Sequence, residues 1–254
     1  MTATVDIPLS APANLRDLAG IRIAGGEIRP GFALRADDLS TIDEATAAAL
    51  VEGGLASVID LRSRREVEHT GRGPFAGHPV TFHHMPFLTD VADASADGED
   101  GLDQATYGTM YIRMFESAAP LIVQSLAIIA ASNGAAAFHC AAGQDRTGVM
   151  AASLLIALGA DREAIVADYV RTGENKPALM ARLAPVMGAL LAGAGFEIDI
   201  DEAARQAMDD GFSPEPMEAL LDHLAATHGS PLDALRAAGL TDGLITALRE
   251  RAAV

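Results

Sequence analysis

The chain has 254 residues and a formal net charge of −17, with 35 acidic residues against 18 Lys and Arg. This charge argues against a nucleic-acid partner and against electrostatic docking to an anionic membrane. Half of the residues are hydrophobic, enough for a sizeable core, and no run reaches the roughly 18 apolar residues of a membrane-spanning helix. We therefore expect one folded domain over residues 12–254, without stable membrane association.

The predicted elements alternate between strands and helices in the first half of the chain. A helix begins at Ser40, its expected N-cap, and a longer helix is expected to break or kink near Pro120. Alternation of this kind predicts an α/β fold with a central, mostly parallel sheet flanked by helices. The expected strands are residues 22–28, 31–35, 56–61, 81–85 and 135–138, and the expected helices are 40–51 and 107–132.

Helices dominate the second half. Residues 147–158 read as a buried helix because the run is almost wholly apolar. The remaining helices are expected at 162–171, 179–191, 201–208, 214–227, 232–238 and 242–252, which places a C-terminal helical region over residues 213–254.

Residues 138–148 read Phe-His-Cys-Ala-Ala-Gly-Gln-Asp-Arg-Thr-Gly. Because a buried strand precedes this run and a buried helix follows it, backbone N–H groups and the helix N-terminus converge and favour an anion. The same field favours the thiolate of Cys140, which is the nucleophilic form. Gly143 lets the backbone approach a phosphate, and Arg146 presents a planar fork to two phosphate oxygens.

The rest of this loop supplies supporting groups. Thr147 is placed to donate its hydroxyl to the departing thiolate, and His139 to orient the loop through hydrogen bonds. Arg146 and the backbone carry the charge stabilisation, so no metal or cofactor is expected. The alternative is that Cys140 is an inert buried thiol. The predicted phosphate-binding residues are Ala141, Ala142, Gly143, Gln144, Asp145 and Arg146.

Cys140 is the only cysteine, so no intrachain disulfide can form. Residues 1–20 also lack the basic start and apolar core of a signal peptide. Both observations predict a cytoplasmic location, with export by a route that uses no N-terminal signal left open.

The loop resembles the signature of the cysteine-dependent protein tyrosine phosphatase superfamily. Its fuller form, HCAAGQDRTG, is similar to the bacterial tyrosine phosphatase family whose loop usually reads His-Cys-x-x-Gly-Lys-Asp-Arg-Thr-Gly. The resemblance implies a tyrosine-phosphatase-like fold and hydrolysis of phosphomonoesters through a phosphocysteine intermediate. Further segments that resemble family motifs are residues 14–20, 35–39, 58–63 with Glu66, and Asp168-Tyr169.

This resemblance also carries expectations about other residues. Arg16, Asp17 and Arg62 match family motifs and are expected to brace the loop. Residues 175–212 occupy the position of a helical lid. The apolar stripe in that segment is either the inner face of the lid or ordinary core packing. Its members are Met180, Leu183, Met187, Leu190 and Leu191.

The substrate implied by the resemblance is a phosphorylated protein or a small phosphomonoester. Phosphotyrosine is favoured, with phosphoserine, phosphothreonine and phosphoinositides as further substrates. One position departs from the family pattern, because Gln144 stands where the family has Lys. Loss of that cation weakens the expectation of phosphoinositide activity more than that of aryl phosphate hydrolysis.

Three carboxyl groups compete as the proton donor to the leaving oxygen, a role that contributes typically about 10²–10⁴-fold. Asp145 lies in the loop itself, Asp60 ends a predicted strand, and Asp90 follows another. Each of the first two has a structural alternative, because Asp145 can instead pair with Arg146 or loop N–H groups, and Asp60 with Arg62.

Two other functions use similar parts. A catalytically silent phosphate-binding or scaffold module would keep the loop and lose turnover. Sulfur transfer also uses a cysteine loop, but Arg146-Thr147 at this spacing favours phosphate.

Overall fold

A five-stranded sheet forms the centre of the computed structural model, which describes residues 9–87, 104–193 and 212–253. Its strands are β1 (Arg16–Asp17), β4 (Ala33–Ala36), β5 (Leu55–Asp60), β6 (Thr81–His84) and β7 (Ala135–His139), while β2 (Arg22–Ile23) and β3 (Gly26–Glu27) form a separate antiparallel pair. Across the sheet the order is β1-β4-β7-β5-β6, and only β1 runs antiparallel. The predicted mostly parallel sheet is therefore confirmed.

Helices cover both faces of this sheet. The described helices are α1 (Glu44–Glu52), α2 (Arg64–Thr70), α3 (Gln104–Ala131), α4 (Asp145–Leu158), α5 (Arg162–Val170), α6 (Lys176–Gly193), α7 (Glu215–His228), α8 (Pro231–Ala237) and α9 (Asp242–Ala252). Helices α3, α4, α7 and α9 pack in the larger core, and α1 contributes to a smaller core.

Strand β7 lies at the middle of the sheet because its side chains are apolar on both faces. Ala136 and Phe138 enter the larger core, whereas Ala135 and Ala137 enter the smaller one. Successive side chains of a strand point to opposite faces, so a continuous apolar run is what a doubly covered parallel strand requires. The signature loop, residues 140–146, therefore leaves the sheet between strands on both sides.

The segment around Ser40 differs from the prediction. Leu39–Thr41 form a short 3₁₀ turn, and Ser40 gives its N–H and its hydroxyl to Asp38 rather than capping a helix. Helix α1 begins at Glu44, where the carboxylate of Asp43 accepts the N–H of Thr46 at 2.7 Å. Ser40 as N-cap is thus wrong: its hydroxyl is bonded to Asp38, and Asp43 caps the helix three residues later.

Helix α2 was not predicted, although its start signal is present in the sequence. The Ser63 hydroxyl accepts the N–H of Glu66 at 3.3 Å, and the Glu66 carboxylate accepts the N–H of Ser63 at 2.7 Å. This reciprocal capping box has the Ser-x-x-Glu spacing, which identifies a helix N-terminus. The same Glu66 becomes important in the functional site.

Helix α3 runs through Pro120 as one helix, so of the expected break or kink the break is wrong and the kink stays a prediction. Its residues Thr106–Ala131 are long and apolar enough to cross a membrane by length and composition. Core helices meet the same criteria, and α3 packs against α4, α7 and α9 in the larger core. The helix expected at 201–208 lies outside the described residues.

The Arg62 side chain is 1% exposed and lies beneath the sheet edge from which the signature loop emerges. Its Nε and Nη2 donate to Asp60 at 2.9 and 2.6 Å, and its Nη1 donates to Asp38 at 3.0 Å. The hydroxyls of Ser40 and Thr70 lie 2.7 and 2.6 Å from Nη1. One guanidinium therefore joins the end of β5 to the 38–40 turn and the end of α2.

Replacing this arginine by lysine tests how far the joint stabilises the fold. Arg62→Lys keeps the charge but loses the planar fork, which leaves a buried carboxylate incompletely paired. We expect the free energy of unfolding to fall by about 3–5 kcal/mol in urea titrations. Arg64→Lys, two positions away and exposed, should stay within about 0.5 kcal/mol. Equal small effects of the two variants would contradict this role of Arg62.

Candidate active site

Cys140 sits at the carboxyl end of β7 and is 1% exposed. Its Sγ accepts the N–H of Gly143 at 3.3 Å and the hydroxyl of Thr147 at 3.2 Å. Both donors stabilise negative charge on sulfur, so the loop supports the thiolate. The next helix, α4, begins within the loop at Asp145, which brings its positive N-terminus to the same point.

The turn at Gly143 brings the signature loop against the end of β4. Gly143 has a φ of +68°, and a Cβ there would lie 2.6 Å from the backbone of Ala36 and Asp37. The Asn14 side chain donates to the Gly143 carbonyl oxygen at 3.1 Å, and Arg35 donates to the same oxygen at 2.9 Å. Asn14 also donates to the Ala142 carbonyl oxygen at 3.3 Å, and because that carbonyl shares a peptide group with the N–H of Gly143, the N–H points the opposite way, to the sulfur.

Arg16 braces the loop indirectly, as the family resemblance suggested. Its Nε donates to Asp168 of α5 at 3.0 Å and its Nη1 donates to Asn14 at 2.5 Å. Arg35 also bonds Asp168, so the two donors to the Gly143 carbonyl are themselves held in place. Asp17, by contrast, accepts the N–H groups of Ala19 and Gly31 and contributes to the turn around β2 and β3 rather than to the loop.

Arg146 forms a two-bond ion pair with Glu66, at 2.6 and 2.9 Å. Burial alone would raise the pKa of Glu66, but the hydrogen bonds and charge of Arg146 hold that pKa below its ordinary value. The pair fixes one edge of the guanidinium, which has five N–H donors, and leaves the others for a phosphate. The sequence analysis named Glu66 only as part of a family motif, whereas the structure shows it as the partner that orients Arg146.

Asp60 lies behind the loop and is fully buried. Burial alone would raise the pKa of Asp60, but His139, at 3.8 Å, and the hydrogen bonds and charge of Arg62 lower it to about 2. The charge of His139 is the largest of the causes that lower this pKa, and where that ring is neutral the always-charged Arg62 still holds the pKa of Asp60 below its ordinary value. Asp60 is thus ionised at any working pH, and the ion pair with Arg62 that was its structural alternative is present.

His139 is buried beside this pair. Its Nδ1 accepts the N–H of Leu39 at 3.3 Å, which links the signature loop to the 39–41 turn. Burial lowers the pKa of His139, so the ring is neutral and acts through hydrogen bonds. Its position fits the loop-orienting role expected from the sequence.

Asp145 has a different environment, because its neighbours on Oδ1 are uncharged. The Tyr111 hydroxyl donates to Oδ1 at 2.7 Å, and the Gln144 amide donates at 3.3 Å. Burial raises the pKa of Asp145 despite these bonds and the nearby Arg146. Asp145 is therefore suited to hold a proton that Asp60 would have lost. Asp90, the third candidate, lies outside the described residues.

Helix α6 lies beside the loop through Arg182 and Val186. Arg182 donates to Asp37 at 2.8 Å and to the Asp38 carbonyl oxygen at 3.0 Å. Val186 lines a cavity of about 10 Å³ together with Ala141 of the signature loop. These contacts place α6 beside the loop. The lid over residues 175–212 stays a prediction, since residues 194–211 lie outside the described residues.

No group of three or more His, Cys, Asp or Glu side chains able to hold a metal ion occurs within residues 9–87, 104–193 and 212–253.

Known proteins resemble this chain along most of its length. The model of the tyrosine phosphatase family matches residues 7–253. The triple specificity protein phosphatase PtpB of Mycobacterium tuberculosis is 31% identical over 267 residues, covering 93% of this chain and 95% of the relative. A putative tyrosine-protein phosphatase of Cupriavidus necator is 30% identical over 179 residues, covering 67% of this chain and 64% of its own.

Among solved structures, TpbA of P. aeruginosa in complex with pTyr has a TM-score of 0.31 and 16% identity. That match covers 72% of this chain and 90% of the TpbA chain.

Alanine substitutions at Gly143 and Gly31 separate the effect of backbone strain from that of the close approach between the signature loop and β4, because both glycines have a φ of +68°. Gly143→Ala adds a Cβ that collides with β4, whereas Gly31→Ala, also at φ +68°, meets nothing within 4 Å. We expect Gly143→Ala to displace the loop and lower kcat/KM by more than about 10²-fold. Gly31→Ala should lower stability by about 1–2 kcal/mol and leave kcat/KM unchanged. Similar activity in both variants would contradict the close approach.

Proposed function

The chain belongs to the tyrosine phosphatase family, and we propose that it hydrolyses phosphomonoesters, phosphotyrosine before others, through a phosphocysteine at Cys140. The observation that carries the proposal is the Sγ of Cys140, which receives hydrogen bonds from Gly143 and Thr147 inside an anion-binding loop. Arg146, fixed by Glu66, lies in the same loop and is always charged.

In the first step the phosphate occupies the signature loop and meets its N–H groups and Arg146. The Cys140 thiolate attacks phosphorus, and the bond from phosphorus to the leaving oxygen breaks. Asp145 gives its proton to that oxygen, because an unprotonated alkoxide or phenoxide is a poor leaving group. The negative charge on the equatorial oxygens is met by donors already in position, which avoids reorganisation during the reaction.

In the second step a water molecule attacks phosphorus and the bond to sulfur breaks. The Asp145 carboxylate takes a proton from that water, which restores the acid for the next turnover. Cys140 leaves as a thiolate, and the Thr147 hydroxyl at 3.2 Å stabilises the charge that returns to sulfur. Inorganic phosphate is the second product.

The substrate preference follows from Gln144 and from the charge of the chain. The Gln144 amide donates to Asp145 and brings no cation to the rim of the loop. A phosphoinositide carries further anionic groups, and a chain of net charge −17 repels them. The relative named triple specificity protein phosphatase indicates what a related loop accepts, and we propose that this chain favours aryl phosphates within such a range.

The reaction is tested with the wild type and Cys140→Ser on phosphotyrosine peptide, phosphoserine peptide and a phosphoinositide, under reducing conditions from about pH 5 to 7.5. We expect turnover by the wild type, fastest on phosphotyrosine, and a loss of at least about 10³-fold in Cys140→Ser. A cooperative thermal unfolding transition like that of the wild type would show that the variant folds. No wild-type turnover on any substrate would leave the scaffold module as the function, and faster phosphoinositide turnover would overturn the proposed preference.

The proton donor is tested by Asp145→Asn beside Asp60→Asn. Activity that needs a protonated acid falls as pH rises through its pKa, so Asp145→Asn should lose this basic limb and about 10²–10⁴-fold in rate. Asp60→Asn should keep the limb but lose stability. The folded pKa of Asp60 is about 2, below that of an unfolded Asp near 3.9. Its charge therefore contributes about 2–3 kcal/mol of stability above pH ~4, which is lost as the pH falls towards ~2. Loss of the basic limb in Asp60→Asn alone would reverse the assignment.

A further inference from the structure

We propose that Tyr111 is a positioning residue for proton transfer: its hydroxyl, held by Tyr169, fixes one oxygen of Asp145 so that the other faces the leaving oxygen. The proposal rests on the proposed phosphatase function. Neither tyrosine lies near Asp145 in sequence, since Tyr111 belongs to α3 and Tyr169 to α5.

The contacts between these three side chains are short. The Tyr111 oxygen lies 2.7 Å from Oδ1 of Asp145 and 2.8 Å from the Tyr169 oxygen. The two rings meet edge to face, with centroids 5.9 Å apart and an interplanar angle of 88°. Tyr111 is fully buried and Tyr169 is 2% exposed, so the hydroxyls are held by packing from two helices. Such packing fixes the hydroxyl positions before substrate arrives.

The direction of the hydrogen bonds follows from the chemistry of the carboxylate. An ionised Asp145 only accepts, so Tyr111 donates to Oδ1 and its own oxygen is left to accept from Tyr169. Gln144 is a second donor to Oδ1, so both of these side-chain hydrogen bonds fall on the same oxygen. Oδ2 is therefore the oxygen that carries the transferable proton.

Both tyrosines remain donors at any working pH. Burial, Asp145 and the hydroxyl partner Tyr169 raise the pKa of Tyr111 well above that of a free phenol, and burial with the charge of Asp145 raises the pKa of Tyr169. The titratable and charged groups that act on this cluster come from α3, α5, α4 and β4. They are Tyr107 and Tyr111 of α3, Tyr169 of α5, Asp145 and Arg146 of α4, and Arg35 of β4.

Removing the Tyr111 hydroxyl should change the pKa of Asp145 in a known direction. A hydrogen bond donated to a carboxylate favours its ionised form, so Tyr111→Phe raises the pKa of Asp145. The acid then keeps its proton to higher pH, and the basic limb of the kcat/KM profile moves up by about 1 pH unit. The freed carboxyl is also less well aimed, so proton delivery to a poor leaving group slows.

The experiment compares wild type and Tyr111→Phe on phosphotyrosine and on p-nitrophenyl phosphate, whose leaving group needs little protonation. We expect kcat/KM to fall about 10-fold on phosphotyrosine and less than about 2-fold on p-nitrophenyl phosphate. The same substitution is made in Asp145→Asn, where it should change kcat/KM on phosphotyrosine by less than about 2-fold, because two residues acting as a unit are not additive.

Tyr169→Phe is the matched second variant, since it removes the outer hydroxyl and leaves the bond from Tyr111 to Asp145. A smaller fall on phosphotyrosine in the same direction is expected. Equal falls on both substrates, an unshifted basic limb, or an undiminished effect in Asp145→Asn would overturn the positioning role. An inactive wild type would instead overturn the proposed phosphatase function, so the two failures are distinguishable.

Discussion

The outward-facing carbonyl of the signature loop is the constraint on which the surrounding structure depends. To aim its N–H groups at an anion, the loop must turn the Gly143 carbonyl away, and a buried carbonyl needs donors. Asn14 and Arg35 supply them, and Asp168 on α5 holds Arg35 and Arg16 in turn. The N-terminal segment, β4 and α5 therefore meet at this one peptide group.

The buried arginines around the site are paired with carboxylates. The chain is strongly acidic as a whole, yet its buried arginines each have carboxylate partners, as Arg62 has Asp60 and Asp38 and Arg146 has Glu66. An unpaired buried guanidinium would be strongly destabilising, so Glu66 allows Arg146 to remain buried and aligned without substrate. The attraction for phosphate then comes from the remaining donors of Arg146 and from the helix N-terminus.

The parts that the sequence predicted are those whose information is local. The strand, loop and helix around Cys140 are contiguous, and the run from 138 to 148 contains both the chemistry and the elements that present it. Glu66 lies 80 residues from Arg146, and Tyr111 lies 34 residues from Asp145. Spacing carries no information about such contacts, although the Ser63-x-x-Glu66 box marks the helix that positions Glu66.

Asp60 and Asp145 show why residue type could not decide the proton donor. Both carboxyls are close to the loop and burial acts on both to raise their pKa values. At Asp60 the charge of His139 and a guanidinium with two hydrogen bonds together outweigh burial, whereas on Oδ1 Asp145 faces a phenol and an amide. Neutral donors stabilise a carboxylate less than a cation does, so burial prevails at Asp145. Two environments thus give one carboxyl the role of counter-ion and leave the other able to carry a proton.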